Sequence, residues 1–196
     1  MRTLLAEWAA RRGFSAEFAP GVDAFLDAPD GSRPPARLSD VVAWEERYGY
    51  ALPPGLRDWL LLSNGLYSQG APWIHPLSGI GPMVQFARMP GLVVQPESWF
   101  ELGNPNVETV CIDLSYSWPG GGPPIFTSGD DLSGSAPRLI AQSFDEWLLG
   151  LIRQGGREYW FDPSFRSLGH PWSEHRRRSP APPLPSRLRP HAGRAL

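Results

Sequence analysis

Apolar positions along this chain recur with two different periods, and the change between them divides the sequence. Leu4, Leu5, Trp8 and Ala9 stand against Glu7, Arg11 and Arg12 at helical spacing, which predicts a short amphipathic helix over residues 3–12 closed by Gly13. Phe14, Phe18, Val22, Phe25 and Leu26 follow, with a further helical turn expected at their end. Residues 28–37 have the composition of a loop. The stretch from Leu38 to Leu66 then predicts two helices joined at a proline corner. In the first, Ser39 is placed to cap, Asp40 sits near the positive end of the dipole, and Val41, Trp44 and Tyr48 form the apolar side. Glu45, Glu46 and Arg47 fall toward water, and Gly49 ends the helix without Cβ strain. Leu52 must be extended before Pro53, and Pro53 or Pro54 opens the second helix. Its buried side is Leu56, Trp59, Leu60 and Leu62, and Asn64-Gly65 is expected to stop it.

Beyond Gly65 the period shortens. Residues 67–72 read as loop, and Trp73 to Leu77 as a short β-like piece that Pro76 confines to an edge. Met83 to Met89 fits strand or helix equally, Leu92 to Val94 is β-prone, and Trp99 to Leu102 is a further apolar piece. Val107 to Leu114 is the clearest strand, with Val110, Ile112 and Leu114 on one face and Thr109, Cys111 and Asp113 on the other. Residues 118–123 form a turn, Ile125 to Thr127 the return strand, residues 129–131 a turn, and Leu139 to Ala141 a last strand. Ser143-x-x-Glu146 is a capping box opening a helix whose Phe144, Trp147, Leu148, Leu151 and Ile152 make one apolar stripe, with Gly155 as its end. Helices, then a mainly antiparallel sheet, then a C-terminal helix packed on it give an α+β fold. Residues 157–172 keep enough aromatics to pack back on the domain, whereas residues from Ser173 onward are expected to be disordered and partly polyproline-like. The organisation is thus a helical extension over 1–37, a domain over 38–172 and an Arg/Pro-rich tail over 173–196.

Charge sharpens that division. All 18 basic residues are arginine. Residues 1–173 hold 12 Arg and 19 acids, a net −7, and residues 174–196 hold 6 Arg and one acid, a net +5. An acidic body suits a basic protein partner and disfavours nucleic acid, apart from weak contacts by the basic tail. The single cysteine, Cys111, excludes an internal disulfide and fits a reducing cytoplasm. The first residues lack the pattern of a signal peptide, and no run approaches the ~20 apolar residues of a membrane span.

Candidate chemistry is sparse. Glu45 and Glu46 are adjacent on a helix and point to different azimuths, so they read as solvated charges without the convergence that acid–base work needs. Asp130-Asp131 sits in a Gly-flanked turn, and Cys111 is mid-strand without a neighbouring base. His170, Glu174 and His175 have a superficial ligand spacing that no firm helix is expected to hold. Neither a metal nor a cofactor is called for. Trp73, Tyr116 and Trp118 lie in or beside turns, either as interface anchors or as plugs of the sheet ends. With His75, Asp130 and Asp131 they are the candidate partner contacts.

Two segments carry a family resemblance. Glu45, Gly49, Leu52, Pro53, Leu60, Asn64 and Gly65 are similar to the start of the SMI1/KNR4 domain of the SUKH superfamily, with Leu56 and Leu66 where an aromatic and a second glycine are common. Ser143, Phe144 and Trp147 resemble its closing helix. The resemblance implies an α+β domain that binds proteins without catalysis. In bacteria it implies an immunity protein that neutralises a toxin, often a nuclease; the alternative is a scaffold or regulatory module, and a third reading is an enzyme with an unrecognised pocket.

Overall fold

The computed structural model describes residues 2–14, 33–68, 71–83, 95–105, 108–129 and 135–179. The expectations for residues 15–27 and 84–94, for Val107, Asp130 and Asp131, and for the tail from 180 onward lie outside them. Helix α1 spans Arg2–Arg11, α2 Leu38–Tyr48 and α3 Pro54–Leu60. A hairpin of β1 (Leu66–Ser68) and β2 (Ala71–Ile74) leads to an antiparallel sheet in the order β3 (Trp99–Gly103), β4 (Val110–Asp113), β5 (Ile125–Thr127), β6 (Arg138–Ala141). Helix α4 is Phe144–Arg153 and α5 Pro171–Arg178. The fold is α+β. Among the described residues no helix is long and apolar enough to cross a membrane.

Alternation along the strands sorts the side chains into two cores. Phe100, Leu102, Val110, Ile112, Ile125 and Ile140 face the helices and join one large buried cluster with Trp8, Trp44, Trp59 and Trp147. Trp99, Cys111, Phe126 and Leu139 point the other way and form a second cluster with Met83. Trp118, Leu168 and Trp172 cover it. The sheet is therefore dry on both faces, and β4 is buried at all four positions. Its outer edges are also occupied. His75 N–H donates to Leu102 O at 2.6 Å and Asn104 N–H to Pro72 O at 2.7 Å beside β3. Leu139 N–H donates to Gly169 O at 2.9 Å beside β6. Blunted edges of this kind protect a sheet from pairing with another chain.

Several boundaries differ from the sequence expectation. Helix α2 begins at Leu38, so Ser39 is inside its first turn; Arg37 is the N-cap and its guanidinium meets Asp40 at 2.9 Å. Helix α3 ends at Leu60, four residues before Asn64, because the chain there turns to start the hairpin. Residues 67–68 and 71–72 pair as strands where a loop was expected, and the β-like piece expected from Trp73 is strand only as far as Ile74. Residues 171–178 are helical, where the extended tail was expected to begin at Ser173. Pro171 at the first helical turn and His170 Nδ1, accepting from Trp172 N–H at 3.3 Å, start this helix, and Trp172 anchors it on Trp99.

Candidate binding surfaces

The family-type residues of the helical corner are tied together by hydrogen bonds. Glu45 Oε1 accepts from the Leu52 N–H at 2.9 Å and stands 3.4 Å from Arg57. Its side chain is only 18% exposed, so the expectation of a solvated charge is corrected. The carboxylate fixes the corner because Leu52 N–H, held extended before Pro53, has no helical acceptor. Gly49 ends α2 at φ 72°, donating to Glu45 O. Asn64 Oδ1 accepts from Leu77 N–H at 2.7 Å, and Gly65 adopts φ 117° with Ile74 O close by. In the closing helix Ser143 Oγ accepts from Glu146 N–H at 3.1 Å, while Glu146 reaches back to Gln142 N–H at 2.6 Å. Phe144 and Trp147 are buried.

Of the candidate partner contacts, Trp73, His75, Tyr116 and Trp118 lie among the described residues. Trp73 is 5% exposed and meets Trp160 edge-on; Tyr116 is 8% exposed, and burial pushes its hydroxyl well above the ordinary tyrosine range. Both are buried in the fold, as the reading of plugs for the sheet ends has it. His75 Nε2 lies 2.9 Å from Glu101 Oε1, and the residue is part-exposed. Trp118 is half-buried, with the Arg178 guanidinium stacked 4.3 Å above its ring. Cys111 is fully buried, and burial, reinforced by Glu101, pushes its thiol well up, so it is poor as a nucleophile.

Two arrangements were invisible in the sequence. The first is a cleft of about 520 Å³ between α1, the N-terminal ends of α3 and α4, and the Gly120–Gly122 turn. Phe14, Pro54, Phe144 and Leu149 form its apolar wall and Arg153 part of its rim. Arg12 enters it with Nη2 2.9 Å from Asp145 Oδ2 and Nη1 3.4 Å from Asp58. Trp8 Nε1 donates to Gly55 O at 2.8 Å beside this pair.

The second is a polar cluster beneath α5. Asp113, 1% exposed, accepts from Ser98 Oγ at 2.9 Å, Trp99 Nε1 at 2.8 Å, Ser115 N–H at 2.9 Å and Ser115 Oγ at 2.7 Å. His175 Nδ1 adds a fifth contact at 2.8 Å. Burial pushes the Asp113 carboxyl up, but the hydrogen bonds from His175 and Ser115 outweigh it and hold it below the ordinary carboxylate range. Ser115 and His175 give this cluster the membership of a hydrolase triad without its geometry. Ser115 Oγ donates to Asp113, and both approach the same imidazole nitrogen, with Ser115 Oγ at 3.3 Å. The ring does not stand between hydroxyl and carboxylate, so it cannot pass a proton from one to the other. The alternation of β4 was the available signal for Asp113, a carboxylate among buried strand positions; nothing local pointed to His175. His170 and Glu174 turn elsewhere, Glu174 to Arg177 and Arg178. Among the described residues no three His, Cys, Asp or Glu side chains group to hold a metal ion.

A comparison with protein families places residues 35–150 on the SMI1 / KNR4 family (SUKH-1), more than half of the chain. Among curated proteins no significant match is found.

Proposed function

The chain belongs to the SMI1/KNR4 family, and from that premise we propose that it is a non-catalytic protein-binding domain acting in the cytoplasm as an immunity protein. It binds a toxin, stoichiometrically and without turnover, and occludes the toxin's working surface. The family match over residues 35–150 carries this reading. The charge of the body supports a basic partner such as a nuclease, since residues 1–173 carry a net −7 that steers a cation-rich surface toward it. Trp118 and His75, both part-exposed, together with Asp130 and Asp131, are the proposed contacts. The ion-paired state of the basic helix end, with Arg177 and Arg178 both on Glu174, supports only weak nucleic-acid contacts there.

The test is co-expression with a toxin encoded beside this chain's gene. Rescue of growth and recovery of a 1:1 complex are expected. Failure to rescue, with no toxin gene nearby, leaves a scaffold or regulatory module as the function. A turnover abolished by replacing His75, Cys111, Asp130 or Asp131, with partner affinity intact, would instead establish an enzyme.

A further inference from the structure

The cleft between α1, α3 and α4 joins an apolar wall to a rim that has more carboxylates than guanidiniums. Its volume of about 520 Å³ is that of a ligand-binding site. On the wall, beside Pro53 and Pro54, Phe14 is 38% exposed. Asp58 and Asp145 share Arg12 at its edge. Glu146 is exposed there, with Oε2 on the Gln142 N–H and Oε1 left for a further cation. The other guanidinium of the rim is Arg153.

The last turn of α5 brings the end of the described chain to this cleft. Arg178 stacks 4.3 Å over the Trp118 ring. Trp118 N–H donates to Gly122 O at 2.8 Å and Gly121 N–H to Trp118 O at 2.9 Å. Trp118 therefore closes the turn whose glycines line the cleft, and those glycines put no side chain in the way. The sequence that follows, residues 180–196, carries Arg187, Arg189 and Arg194 and no acid, opposite in sign to the body. Within it, Pro182-x-x-Pro185 repeats proline at the three-residue turn of polyproline II, which puts both rings on one ridge. Arg187 follows two positions later. Grooves lined by aromatic side chains take such ridges, because the segment loses little entropy on binding. As polyproline, residues 180–187 would span about 25 Å, more than the one arginine side chain and one turn that separate Ser179 from the cleft.

We propose that the cleft is a docking site for a proline-rich, arginine-bearing segment, and that its occupant is residues 182–187 of this same chain. Pro182 and Pro185 lie on the wall formed by Phe14, Pro53 and Pro54, and Arg187 pairs with Glu146. Attachment at Ser179 supplies the segment at about millimolar effective concentration, so an occupant of modest affinity suffices. The inference stands independently of the toxin reading, since neither its argument nor its test involves a toxin.

The test is direct binding of a fluorescein-labelled peptide spanning residues 180–190, read by anisotropy on the full-length protein. In the tail variant Pro182→Ala, Pro185→Ala, Arg187→Ala the cleft is freed, and saturable binding of the peptide is expected. The parent should bind it roughly tenfold more weakly, because its own segment competes at about millimolar effective concentration. A peptide carrying the same three alanines should bind neither protein. Adding Phe14→Ser to the tail variant should weaken binding about tenfold, with the fold checked by circular dichroism. Should that variant not fold, Glu146→Gln serves, since glutamine keeps the capping acceptor and removes the charge; it should weaken binding and reduce its salt dependence. No saturable binding to the tail variant overturns the proposal. So does equal affinity for parent and tail variant, or binding that the cleft substitutions leave unchanged. A parent dimer that the tail substitutions dissolve, seen by sedimentation, also overturns it, because the segment would then occupy a second copy.

Discussion

Glu45 shows how one side chain can do what its helix position does not announce. It sits at a position read as wet, yet it accepts the Leu52 N–H at the proline corner. Replacing it with alanine leaves that N–H unsatisfied and should cost about 1–3 kcal/mol in denaturant unfolding. Glu45→Gln keeps an acceptor and loses only the part-exposed Arg57 pair, so its cost should be about 0–1 kcal/mol. Equal costs for the two variants would refute the assigned hydrogen bond. Gly55 is constrained from outside its helix. A Cβ there would stand 1.6 Å from Asp145 Oδ1, which must swing away and release Arg12. Gly55→Ala should therefore destabilise by roughly 1–3 kcal/mol. Combined with Asp145→Ala the losses should be clearly less than additive, and a double-mutant cycle checks it.

Helix α4 is the element whose local code and observed form agree most closely. Ser143 Oγ caps the Glu146 N–H, and the apolar stripe from Phe144 to Ile152 is buried throughout. Ser143→Ala should lower stability by about 1 kcal/mol, measured as a shift in denaturant midpoint at unchanged slope. Strands β4 and β5 were equally legible, since alternation assigns Val110 and Ile112 to the helix side and Cys111 to the other. Of the β1–β2 hairpin only Trp73 and Ile74 were read as β. Its strands are three and four residues long, and its surroundings are set by distant partners such as Asn64 to Leu77 and His75 to Leu102. Helix α5 was hidden for a different reason: it is polar almost throughout, and one tryptophan and one histidine hold it through residues on β3 and β4.

At the scale of the whole molecule, the two α-helices described beyond the matched region are each fastened by an aromatic ring and a polar side chain. Trp8 and Arg12 fasten α1 to Gly55, Asp145 and Asp58; Trp172 and His175 fasten α5 to Trp99 and Asp113. The second fastening has a pH dependence of defined sign. The Asp113 carboxyl is depressed in the folded state, so its stabilisation is complete above the unfolded value near about pH 4 and is lost as pH falls through the folded value. Unfolding free energy should therefore decline as pH drops below about 4, with the near-ultraviolet tryptophan signal changing alongside. Asp113→Asn should flatten that acid decline, as seen by denaturant titrations at pH 7 and at about pH 3. An unchanged acid slope in the variant would assign the decline to other carboxylates.

The chain's own order of residues was enough to specify the elements whose reasons are local. Periodicity, caps and proline corners marked α1, α2, α3 and α4, and two-residue alternation marked β4 and β5, because those signals act over one or two turns of backbone. It was also enough to indicate the α+β class and the family. Tertiary structure alone decided that Trp73 is core, that Asp113 gathers donors from Ser98, Trp99, Ser115 and His175, and that Arg12 meets Asp145 across the chain. These depend on contacts between residues up to 133 positions apart. A contact of that separation is set by how whole layers pack, and no local pattern of hydrophobic and polar residues encodes it.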